Sequence, residues 1–113
     1  MLVVNRFAVP EADTPGFVDR ARAALRALAG RPGYRRGALT RALEDPHRWC
    51  LVTEWESVGT YRRALGSFEV KVDATPLLAE SLDEPSAYEE LVTAGPGEEP
   101  AAHSSDRAAE PGR

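Results

Sequence analysis

The chain has 113 residues, 42% hydrophobic and 28% charged, the proportions of one small globular unit with a modest core. Fourteen Lys and Arg against eighteen Asp and Glu leave a formal charge of −4, which argues against nucleic acid as a partner, since binders of it concentrate positive charge. A single cysteine, Cys50, excludes an internal disulfide framework, and with only His47 and His103 beside it no metal-ligand spacing exists.

The chain opens MLVVNRF, with no basic lead-in before a long apolar stretch, so it does not read as a signal peptide. No apolar run approaches the roughly 20 residues that span a bilayer. A cytoplasmic protein with no membrane partner is the expectation. Leu2 to Val9 is rich in branched and aromatic residues and stops at Pro10, as a strand does. Thr14 then offers a helix cap, Pro15 suits a first turn, and Gly30 closes the segment. Within it Phe17, Val18, Ala21, Ala24, Leu25 and Leu28 recur at helical spacing on one face.

Arg31-Pro32-Gly33 is a turn, Tyr34 to Leu43 a second strand, and Glu44 to His47 a hairpin loop. Arg48 to Glu56 is a third strand, and Ser57 caps a second helix that runs through Leu65. Residues 66–82 read two ways: Phe68 to Val72 alternates like a strand, yet the stretch follows one helical pattern and precedes another, which favours helix or irregular turn. Pro85 to Val92 is a short last strand. Residues 94–113 contain no Leu, Ile, Val, Phe, Tyr or Trp; with nothing to bury, they are expected to be a disordered tail behind a folded unit at 1–93.

The order β-α-β-β-α-β predicts an α+β, ferredoxin-like fold: a four-stranded antiparallel sheet with both helices on one face. Strand parity then poses a problem. Val3, Asn5, Phe7 and Val9 share one face of the first strand; Leu2, Val4, Arg6 and Ala8 share the other. In the third strand Trp49, Leu51, Thr53 and Trp55 oppose Cys50, Val52, Glu54 and Glu56. Both faces are apolar, so neither is simply wet. A second copy of the chain is the simplest cover for the outer face, with Arg6 and Glu54 available to pair there.

Asn5-Arg6-Phe7 on the first strand, Leu51-Val52-Thr53-Glu54-Trp55-Glu56-Ser57 running into a helix, Thr60 to Leu65 and Pro76-Leu77-Leu78 resemble the antibiotic biosynthesis monooxygenase family across about residues 1–92. The resemblance implies a homodimer closed sheet to sheet as a dimeric α/β barrel. It also implies a monooxygenase that oxidises an aromatic, polyketide-like phenol with dioxygen and needs no flavin, haem or metal. Asn5 and Trp55 stand at the positions that line the family's pocket, which makes them the candidate catalytic pair; Phe7, Leu51, Thr53 and Tyr61 are the candidate substrate-binding side chains.

The chemistry suits the pair. An electron-rich phenol can pass an electron to dioxygen if its anion is stabilised, and an Asn amide can hold that oxygen as charge develops. A Trp offers a flat wall and one N–H toward a peroxide. Two alternatives remain: a non-catalytic small-molecule binding or accessory protein on the same fold, and a haem-degrading monooxygenase. For the last, the resembling positions hold Ala64 and, near the iron ligand, Val72, so Tyr61 or Tyr88 would have to hold the iron.

Overall fold

A computed structural model of the chain describes residues 1–105 and Arg107. Four strands form one antiparallel sheet: β1 (Leu2–Ala8), β2 (Tyr34–Arg41), β3 (Arg48–Trp55) and the two-residue β4 (Ala87–Tyr88), in the order β2-β3-β1-β4. The helices α1 (Thr14–Ala29), α2 (Val58–Leu65), α3 (Phe68–Asp73) and α4 (Thr75–Leu78) cover one face. This is the α+β, ferredoxin-like arrangement the element order predicts.

The core lies between sheet and helices. Val3, Phe7, Leu51 and Trp55 from the sheet meet Phe17, Ala21, Ala24 and Leu28 of α1, with Val70 and Leu77 closing the layer from α3 and α4. The alternation of β1 and β3 is the cause: every second side chain points to the helices, and all of these but the half-buried Asn5 are buried. Ser57 caps α2 through a reciprocal box, its Oγ accepting from Thr60 N–H at 3.1 Å while its own N–H donates to Thr60 Oγ1 at 3.2 Å. Gly33 is obligatory in the preceding turn. Its φ is +87°, and a Cβ there would lie 2.3 Å from Thr60 Cβ.

Phe68–Asp73 is helical, the reading the sequence favoured for this stretch, with Val70 as its buried residue. The structure departs from the sequence reading at four places. Thr14 is the first helical residue and not the cap; Asp13 takes the cap position without a side-chain bond, behind a 3-10 turn at Glu11–Asp13. The last strand contracts to Ala87–Tyr88. Arg6 and Glu54 are not partners within one chain: the register sets Arg6 against Cys50 and Glu54 against Leu2, and Arg6 Nε lies 3.3 Å from Glu84 instead.

The fourth difference is the tail. β5 (Val92–Thr93) pairs with β6 (Ala101–Ala102) in a small second ladder, and Thr93 Oγ1 lies 2.6 Å from His103 Nε2. Backbone and side-chain hydrogen bonds form this hairpin with little apolar burial, so composition gave no sign of it. The part of the tail expectation at residue 106 and at 108–113 lies outside the described residues.

Candidate functional site at the sheet–helix layer

Two aromatic clusters occupy opposite ends of the layer between sheet and helices. At one end Trp55, the last residue of β3, is fully enclosed, with 0% exposure. Its ring meets Tyr34 edge-on at 5.4 Å and Tyr61 of α2 at 5.4 Å. The indole N–H donates to Thr53 Oγ1 at 2.8 Å, a bond between neighbours on the same strand face. Tyr34 reaches this cluster because a bulge in β2 lets its register with β3 slip between Tyr34 and Arg36. Gly37 makes the room: a Cβ there would come within 2.5 Å of the Tyr34 hydroxyl. Burial pushes the hydroxyls of Tyr61 and Tyr34 above their ordinary pKa of 10. At neutral pH both are therefore protonated donors and not bases.

At the other end Phe7 meets Phe17 at 5.1 Å, and Phe17 meets Trp49 at 5.6 Å, both edge-to-face. The Arg41 guanidinium sits over the Trp49 ring, 5.3 Å from its centre. Trp49 is only 8% exposed, yet no described residue accepts a hydrogen bond from its indole N–H. Phe7 and Phe17 also form the inner wall of a groove of about 410 Å³, whose outer rim carries the Arg20–Glu80 ion pair. Hydrogen bonding to Arg20 holds the Glu80 carboxyl below its ordinary range.

Asn5 lies between the two ends. It is half-buried, opposite Leu51, and its amide makes no hydrogen bond to a described residue. The predicted site residues thus share one face of the sheet, but not one point. Thr53, Trp55 and Tyr61 come together at the closed end, Phe7 belongs to the other cluster, and Leu51 faces Asn5. Asn5 and Trp55 are offset by four strand positions, about 13 Å at the rise of an antiparallel strand. The Trp55 N–H, expected to face a peroxide, is bonded to Thr53.

Three residues of this layer were not singled out from the sequence. Trp49 carried a legible signal, since it shares the parity of Leu51 and Trp55. Arg41 required the β2–β3 register, and Tyr34 required the bulge. Among the described residues no three His, Cys, Asp or Glu side chains are placed to hold a metal ion, and no helix is long and apolar enough to cross a membrane. His47 is exposed in its loop, with Nδ1 3.2 Å from the Val9 carbonyl.

The sheet order, the helices on one face and the apolar layer between them define a ferredoxin-like α+β domain. Residues 1–72 match the family model described as antibiotic biosynthesis monooxygenase. The chain belongs to that family. Its fold is similar to that of a conserved protein of Methanosarcina mazei Go1, at 22% identity and a TM-score of 0.63, over 76% of this chain and 84% of that one. It is similar to a variant of SnoaB, a cofactor-independent oxygenase of Streptomyces nogalater, at 22% identity and a TM-score of 0.61, over 95% and 93% of the two chains. A candidate antibiotic biosynthesis monooxygenase of Nitrosomonas europaea aligns at 17% identity and a TM-score of 0.63, over 80% and 97%. No curated protein matches the chain.

Proposed function

We propose that this protein is a cofactor-independent monooxygenase that oxidises an aromatic, polyketide-like phenol with dioxygen. Family membership supports the reaction class, and the observation that carries the reading to this chain is Asn5. A half-buried amide on a wall of apolar side chains, with no described partner and its polar atoms still open to solvent, can both donate to and accept from a ligand oxygen. The candidate wall is the sheet face of Phe7, Leu51, Thr53 and Trp55, with Tyr61 of α2 beyond it. In this reading Asn5 holds the substrate oxygen as it gains negative charge, and Trp55, sealed against Thr53 and two tyrosines, keeps the far end of the wall fixed.

For an anthrone-type substrate the balance is simple. The deprotonated ring passes one electron to dioxygen, the two radicals combine, and the resulting hydroperoxide loses water. One oxygen atom becomes the new carbonyl; the other leaves as water with the two hydrogens of the oxidised carbon. Dioxygen is the only oxidant required.

The outer sheet face supports a second copy of the chain as partner. Leu2, Val4, Cys50 and Val52 remain only half-buried in one chain, and a shallow hollow of about 220 Å³ lies between Leu2, Ala38 and Val52. A homodimer closed through this face would cover them. Val52→Glu should then give monomers or insoluble protein, and a wild-type sedimentation mass near the 12.3 kDa of one chain would contradict the dimer.

The decisive assay is oxygen uptake with an anthrone, with metals chelated and no flavin added. Sustained uptake with quinone formation is the expected result. Tight binding of the anthrone without uptake would instead make the protein a binding or accessory member of the fold.

A further inference from the structure

The groove of about 410 Å³ walled inside by Phe7 and Phe17 opens to solvent between the end of β1 and the start of α1. Its size falls within the roughly 300–1,000 Å³ of small-molecule clefts. Phe7 is the next side chain after Asn5 on the helix-facing row of β1, about 7 Å along the strand. A ring lying against Phe7 is therefore one side-chain repeat from the Asn5 amide.

The outer lip of this groove holds an anomaly. Gly16 lines it, is exposed, and is the one glycine inside α1. Glycine is among the poorest helix formers, and a helix keeps it where a positive φ or the close approach of another group requires it. Neither applies here. The positive-φ glycines among the described residues are Gly33 and Gly97, and a Cβ on Gly16 would meet nothing within 4 Å. A local rule broken without a structural cause points to function, and the effect of the missing side chain is a wider groove.

The rim specifies the charge of what enters. Arg20 is engaged by Glu80 through both arms of its guanidinium, and Asp13 makes no ion pair with a described residue. One arginine against Asp13 and Glu80 leaves the groove a net charge of −1. That rim repels a carboxylate or sulfonate, while the rings of Phe7 and Phe17 suit an uncharged aromatic.

We propose that this groove admits the aromatic substrate in its uncharged form, and that Gly16 is a specificity-determining residue whose bare backbone sets the width of the ring system that reaches Phe7. This rests on the monooxygenase reading and adds the route and the size limit of its substrate. The Arg20–Glu80 pair, tying α1 to the residues just beyond α4, fixes the opposite lip.

The test uses the full-length chain with 1-naphthol, an uncharged phenol at neutral pH, and 1-naphthalenesulfonate, its charged counterpart. In an amide-correlated NMR titration 1-naphthol should move the Gly16 and Phe17 signals, and the sulfonate should bind several-fold more weakly. Gly16→Leu meets no protein atom at its Cβ, so its thermal midpoint should hold or rise. It should weaken 1-naphthol about tenfold or more and lower kcat/KM for an anthrone by a similar factor, with Gly16→Ala between it and wild type. Unchanged binding and turnover in Gly16→Leu would overturn the inference and leave the oxygenase reading intact. So would 1-naphthol signals that move at Val58 to Arg62 and not at Gly16. Binding at Gly16 with no oxygen uptake by wild type would overturn the oxygenase reading and support the groove as the ligand's entrance. Failure of both 1-naphthol and the anthrone to bind would overturn the inference and the aromatic ligand class together.

Discussion

The two ends of the sheet–helix layer are built from the same materials and finished differently. Each holds a β3 tryptophan in a cluster with two further aromatic rings. At the Trp55 end the indole N–H is bonded, two tyrosines close over the ring, and the Met1 amino group donates to the Trp55 carbonyl at 3.1 Å. At the Trp49 end the N–H is unanswered, the covering side chains are phenylalanines, and an arginine lies over the ring. The bonded indole donor adds to stability, and the buried unanswered one costs about 1–3 kcal/mol. The difference shows that an aromatic at the right position in a family motif is not by itself a ligand contact. What its polar atom already touches decides.

The comparison breaks most easily at the closed end. Gly33→Ala forces a side chain into the left-handed region against Thr60, on the turn that leads into β2 and its bulge. It should cost at least about 2 kcal/mol, read as a lower midpoint in chemical denaturation. Asn5→Ala addresses the middle of the layer. Turnover should fall by about 10²–10³ while stability barely changes, because the lost bond strengthens only as the substrate oxygen gains charge. Steady-state oxygen uptake should show the loss mainly in kcat.

Two smaller effects sharpen the contrast with regions outside the layer. Removing residues 94–113 should change the unfolding free energy by less than about 0.5 kcal/mol, because the β5–β6 hairpin buries little apolar surface. Residues 1–93 would then be the unit that folds. The Arg20–Glu80 pair on the groove's rim should contribute least. The Glu80 carboxyl sits below its ordinary 4.5, so the pair's contribution is fully present above that value and is lost as pH falls through the lower folded-state value. The difference in thermal midpoint between wild type and Glu80→Gln should accordingly vanish in acid.

Much of this architecture is legible without coordinates. Alternation in Leu2–Ala8 and Arg48–Trp55 identifies which side chains face the helices, and helical spacing from Phe17 to Leu28 identifies the face that covers them. Ser57 with Thr60 marks the start of α2. What stays hidden depends on contacts distant in sequence or on a change of parity. One extra residue in β2 turns Tyr34 inward, and no pattern in Tyr34-Arg35-Arg36-Gly37 announces it. Arg6 finds Glu84 and the Tyr88 hydroxyl only because β4 returns beside β1. The candidate site was read as a face, and the structure divides that face in two. Thr53 sits two residues before Trp55 and takes its N–H; the corresponding place before Trp49 is His47, exposed in the hairpin loop with its Nδ1 3.2 Å from the Val9 carbonyl.

The most direct test sets the two tryptophans side by side, measuring thermal midpoint and anthrone-dependent oxygen uptake for Trp49→Phe and Trp55→Phe. Trp55→Phe strands the Thr53 hydroxyl and opens space in a sealed cluster, so it should lower the midpoint by the roughly 4–8 °C that 1 kcal/mol represents at this size, with uptake largely kept. Trp49→Phe removes an unanswered donor, so its midpoint should fall less. The reverse order, with Trp49→Phe the less stable of the two, would contradict the account that the bonded Trp55 N–H makes its end of the layer the better held.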